Sequence, residues 1–69
     1  MVEIGQLCNI ELDGETIYKI IDVRTKTINI VTEQAQTFST STFVDVEEVE
    51  NQNVKRVNIP IYSIHLIKE

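Results

Sequence analysis

More than a third of this chain branches at Cβ: eleven Ile, eight Val and seven Thr stand among 69 residues, against one Ala and three Leu. Two heavy atoms on Cβ stiffen the side chain, crowd the preceding turn of a helix and pack well on a pleated surface. The chain is therefore expected to be all-β. Its length suits one domain, taken as residues 1–69. A chain of this size buries only about 60% of the surface its unfolded form exposes, so its core must be small. Self-association would supplement such a core.

Alternation of apolar and polar residues places the strands. Over 7–12, Cys8, Ile10 and Leu12 fall on one face and Asn9 and Glu11 on the other. Asp13-Gly14 then reads as a tight hairpin turn, because such turns need positive φ. Residues 16–23 form the second expected strand. Its run Ile17-Tyr18-Lys19-Ile20-Ile21 breaks strict alternation. The strand is either buried on both faces or bends and swaps faces midway. Arg24-Thr25-Lys26 reads as a polar connection, 27–32 as a third strand and 33–36 as a turn. The hydroxyl-rich stretch 37–43 is an edge strand or a long polar loop; its alternative reading is a hydroxyl surface that binds a ligand. Residues 43–50 form another strand, with Val44 and Val46 on one face, and Asn51-Gln52-Asn53 form a turn. Near the end Val57 and Ile59 alternate with polar neighbours. Pro60 then breaks the ladder, and Ile64 and Leu66 resume the alternation around His65. The expected fold is a small antiparallel barrel of five or six strands with a short 3-10 turn before the last.

Chemistry-bearing patterns are sparse. One His, one Cys and two Gly leave no Gly-rich phosphate loop, no paired Cys/His metal spacing and no nucleophile elbow. The expectation is a non-enzyme without metal or cofactor. Cys8 alternates onto the apolar face as a buried structural thiol, and His65 points outward. A lone cysteine, no signal-peptide pattern and no apolar run near about 20 residues fit a reduced, cytoplasmic, non-membrane protein. Two charge groups remain. Asp45, Glu47, Glu48 and Glu50 put four acids into six positions. Such a run is a solvated edge that blocks sheet-to-sheet association, or a partner surface for a basic protein. Charges on both faces suit a protruding hairpin. Lys19, Arg24 and Lys26 form a small positive rim, although a net charge of −5 repels phosphate backbones.

Several of these residues resemble the Sm-like proteins, small barrels that form RNA-binding rings. Gly14 matches that family's turn glycine, Ile21 an apolar residue of its bent strand, and Ile28-Asn29 its apolar-Asn pair. Ile59-Pro60-Ile61-Tyr62-Ser63-Ile64 is similar to its closing turn and last strand. Thr25 stands where that family carries an aspartate, and Lys19 where it carries a glycine. The resemblance implies an Sm-like or SH3-like barrel with Asn29 at a base and Lys19, Arg24 and Lys26 at phosphates. Three functions follow. The first is a small acidic interaction module that binds or inhibits another protein, similar in composition to inhibitors encoded by phages or mobile elements. The second is an Sm-like nucleic-acid binder. The third is a homo-oligomer that captures a small ligand at subunit interfaces, where Tyr62 and the Ser/Thr stretch would contribute. Apolar residues on both faces of neighbouring strands favour a homo-oligomer, a dimer or a small ring; a monomer results if the second strand buries both of its faces.

Overall fold

A computed structural model describes residues 2–11 and 14–68. The chain runs β1 (Leu7–Ile10), β2 (Tyr18–Val31), β3 (Gln36–Glu48), β4 (Lys55–Pro60), a 3-10 turn η1 (Ile61–Ser63) and β5 (Ile64–Leu66). All neighbours are antiparallel in a single five-stranded sheet of order β4-β3-β2-β1-β5. The all-β expectation therefore holds, as do the proline break and the 3-10 turn. No ladder joins β4 to β5, so the sheet is open rather than a closed barrel. The expected Asp13-Gly14 turn lies partly outside the described residues, as does Leu12. Gly14 itself has φ +65, the left-handed region that favours glycine.

Two strands are longer than their sequence pattern implies. The polar connection expected at Arg24-Thr25-Lys26 is uninterrupted strand, because Arg24 pairs with Phe43, Thr25 with Thr42 and Lys26 with Ser41. The hydroxyl-rich stretch is likewise strand, fused to the one expected after it. Both regions are exposed apart from half-buried Thr42 and Phe43, and pairing with each other satisfies their backbone groups where no core is present to impose alternation. The turn between them is closed by Thr32 and Ala35. The Thr32 amide donates to the Ala35 carbonyl at 2.9 Å, and the Thr32 hydroxyl accepts from the Ala35 amide at 3.1 Å.

The core comprises Cys8, Tyr18, Ile20, Val44, Val46 and Ile64. Cys8 and Ile64 come from one side of the sheet and Val44 and Val46 from the other, so these strands curl around a common interior. Tyr18 is buried, and its hydroxyl accepts from Arg56 Nε at 3.0 Å, so its polar end is satisfied where its ring is dry.

Two bulges let the sheet curl. On β2 the register with β3 shifts between Ile20 and Asp22, leaving Ile21 as the extra residue. This is the face swap anticipated from the unalternating run. On β4 the register with β3 shifts between Val44 and Val46, and Asn58 in the extra segment has φ +56. The β4 bulge turns Val57 outward, where it is 62% exposed, so its expected alternation with Ile59 as a half-buried strand fails at Asn58.

Asp45 lies opposite both bulges. Its Oδ1 accepts from the Asn58 amide at 2.9 Å and from Arg24 Nη2, and Arg24 Nη2 also donates to Asn58 Oδ1 at 2.6 Å. Asp45→Ala is expected to lower stability by about 1–3 kcal/mol, because it leaves a bulge amide without its acceptor and removes the central acceptor of the Arg24 guanidinium. Asn58→Gly, which keeps the positive φ, is expected to cost less than Asn58→Val, whose branched Cβ is strained there. Urea unfolding midpoints at unchanged m-value decide both comparisons.

Candidate interaction site

The four acids of the 45–50 run separate into two pairs with different roles. The run is not a protruding hairpin: most of it lies within β3, flanked by β2 and β4. Asp45 is consumed by the bulge contacts. Glu47 is 14% exposed at its side chain and sits between two cations, Lys19 Nζ at 3.4 Å and Lys55 Nζ at 3.9 Å. Both acids point to the outer face, across β3 from buried Val44 and Val46. They neutralise the sheet's own cations and offer little charge to a partner.

Glu48 and Glu50 are placed differently. With Glu15, Thr16, Ile17, Val49 and Asn51 they line a cavity of about 580 Å³ at the end of the sheet where β2 begins and β3 ends. The two segments are stitched by the Val49 amide donating to the Ile17 carbonyl at 3.0 Å. Ile17 and Val49 are 44% and 45% exposed. Two exposed aliphatic side chains and three carboxylates thus line the cavity, and no Lys or Arg does. None of the three carboxylates has an ion-pair partner among the described residues. Glu15, Ile17 and Val49 were not legible as site residues, because their convergence depends on the β2–β3 register. The one available signal was that Val49 interrupts an acidic run.

The expected nucleic-acid residues do not converge. Lys19, Arg24 and Lys26 lie on the outer face, whereas Asn29 pairs with Phe38 on the opposite, core-side face of the β2–β3 hairpin. Lys19 is held by Glu47, and Arg24 by Asp45, Asn58 and, at 3.9 Å, Asp22. Lys26 alone of these cations has no partner among the described residues. It shares a shallow depression with Arg24, Thr25, Phe43 and Asn58. Tyr62 is 81% exposed and flanks a second depression with Thr40, Ser41, Thr42, Phe43 and Pro60, so the turn does bring Tyr62 to the hydroxyl-rich stretch. Phe43, which touches both depressions, is a residue that sequence reasoning missed.

His65 is exposed on the edge strand β5. Cys8 is fully buried, and that burial pushes its thiol above the ordinary range. Among the described residues no set of three or more His, Cys, Asp or Glu is placed to hold a metal ion. Among the described residues no helix is long and apolar enough to cross a membrane. No family model, no curated protein and no solved structure matches the chain.

A raised thiol pKa stabilises the fold below the pH at which the unfolded thiol ionises. That contribution is lost as pH rises toward the folded value. The wild type is therefore expected to lose stability in alkaline solution faster than Cys8→Ala, measured as the difference between their unfolding free energies across the alkaline range. Alkylation of Cys8 by iodoacetamide is expected to be slow in the native state and fast in urea.

Proposed function

We propose that the protein is a non-enzymatic acidic interaction module that binds a positively charged segment of another protein, and so can inhibit it, at the Glu15/Glu48/Glu50 end of the sheet. One observation carries this reading: three carboxylates, none of them ion-paired with a described residue, line one cavity together with two exposed aliphatic side chains. Aliphatic surface beside carboxylates suits a Lys- or Arg-bearing segment that also presents an aliphatic side chain. The aliphatic side chains supply area, and the carboxylates supply steering and orientation. The whole-molecule charge of −5 acts in the same direction. Nucleic acid fits less well, because its expected contact residues lie on opposite faces and their cations are mostly paired internally.

The same reading takes the sheet as a small Sm-like or SH3-like barrel. Edge strands of a flat five-stranded sheet stand about 19 Å apart, at roughly 4.8 Å per strand. Here the two edges are joined by the three residues of η1, a link that spans at most about 14 Å. The sheet must therefore curl at that corner, which supports a barrel-like arrangement. A reduced, buried Cys8 suits a reducing cytoplasmic compartment.

The test is titration of the ¹⁵N-labelled protein with a short peptide of alternating Lys and Leu. Amide shifts should concentrate at Glu15, Ile17, Glu48, Val49 and Glu50 and weaken as salt is raised. Glu48→Lys combined with Glu50→Lys should remove those shifts while changing stability by no more than about 0.5 kcal/mol, as surface substitutions do. Shifts centred on Asn29 or Lys26, or an unimpaired double variant, would reject this site.

A further inference from the structure

The outer half of the β2–β3 hairpin is an arm with no further strand partner among the described residues. β4 pairs with β3 only as far as Phe43 opposite Pro60, and β1 pairs with β2 only at Tyr18 and Lys19. From Thr25 opposite Thr42 to Val31 opposite Gln36, two strands continue alone. Every residue of 25–41 is exposed. The molecule accordingly measures 50 × 21 × 20 Å, with a radius of gyration of 14.7 Å, where a compact chain of this length has about 11 Å. Seven strand residues make the arm about 24 Å long. A lone two-stranded hairpin is marginally stable in water and needs cover on at least one face. This arm also exposes Ile28, Ile30, Val31 and Phe38 at 46–70%.

The arm's charges say what covers it. Of 6 basic and 11 acidic residues in the chain, residues 25–42 hold one of each, Lys26 and Glu33, so the whole net charge of −5 falls on the rest of the molecule. Two copies repel through their bodies and can approach only through this neutral element. Lys26 stands near the base of the arm and Glu33 in the turn at its tip, and neither forms an ion pair with a described residue. On one face, Lys26, Ile28 and Ile30 form a row opposite Ser41, Ser39 and Thr37. These short hydroxyl side chains leave the isoleucines standing proud of a low surface.

We infer that this face is a homodimer interface. Two arms pack antiparallel about a two-fold axis, with Ile28 and Ile30 of each copy at the centre and each Lys26 against the partner's Glu33. A two-fold axis places the same patch on both copies and repeats the ion pair at both ends. The arm's small area falls below that of a standard interface, so the dimer dissociates on dilution. The site is independent of the acidic cavity, which lies at the other end of β2 and β3.

Light scattering coupled to gel filtration over about a hundredfold concentration range tests this, since a dimer obeys mass action. The mass should rise with concentration from 7.9 kDa toward twice that value. Ile28→Ser with Ile30→Ser should hold it at 7.9 kDa throughout. Lys26→Glu should weaken association at least tenfold, and adding Glu33→Lys should restore it, a rescue that a merely unfolded arm would not show. Circular dichroism of each variant checks that the strands persist. A wild type that stays monomeric at every concentration would overturn the inference. So would a dimer that survives both arm variants, or one that is lost with Phe38→Ser on the opposite face while Ile28→Ser with Ile30→Ser leaves it intact. Because the peptide titration reads the other end of the sheet, either site can fail without the other.

Discussion

The contact on which the rest of this sheet depends is the meeting of Asp45, Asn58 and Arg24. Each of the two bulges adds a residue to one strand opposite β3 and would otherwise leave polar backbone groups without partners. Asp45 sits between them and satisfies both neighbours, accepting from the Asn58 amide on β4 and from the Arg24 guanidinium on β2. Its side chain is largely buried by these contacts, 15% exposed, so the ionic hydrogen bonds are less screened than a surface pair would be. With the bulges fixed, Val44 and Val46 can both face inward and meet Cys8 and Ile64 from the far side of the sheet.

That small interior accounts for the division of the molecule. Six buried residues cannot cover strands of 14 and 13 residues. The inner halves of β2 and β3 belong to the curled body, and the outer halves leave it as the arm. The surface chemistry divides at the same place. The body carries the net negative charge, with its cations largely absorbed by Asp45 and Glu47, whereas the arm is neutral and rich in Ile, Thr and Ser. An acidic cavity at one end and a neutral β-arm at the other are distinct surfaces, suited to different occupants.

Much of the local structure was legible because it rests on local chemistry. The Cβ-branched composition specified strands, Pro60 specified the break before the last strand, and the unalternating run around Ile20-Ile21 marked the β2 bulge. Cys8 was placed in the core by period-two alternation alone. The β4 bulge was harder to see. Asn58 between Val57 and Ile59 is a residue that strands disfavour and left-handed backbone tolerates, but alternation through Val57 masked it. The strand was broken wrongly at Arg24-Thr25-Lys26, where polar residues look like loop, and in the hydroxyl-rich stretch the edge-strand reading held over the loop one. In an uncovered hairpin, pairing is satisfied without a buried face, so composition loses its power to mark the strand's end.

The sequence by itself determined that this chain makes antiparallel strands, where its closing turn falls and that its surface is acidic, because these follow from side-chain branching, ring closure in proline and a count of charges. Only the tertiary structure decided which acids are free. Asp45, Glu47, Glu48 and Glu50 are near neighbours in sequence, yet the register of β2 and β4 against β3 gives Asp45 and Glu47 to internal cations and leaves Glu48 and Glu50 to line one cavity with Glu15 and Ile17. It likewise placed Asn29 on the opposite face from Lys26 and sent the neutral half of the hairpin away from the body. These outcomes depend on cross-strand register and on two bulges, which join residues far apart in the chain, and no local pattern encodes such pairings.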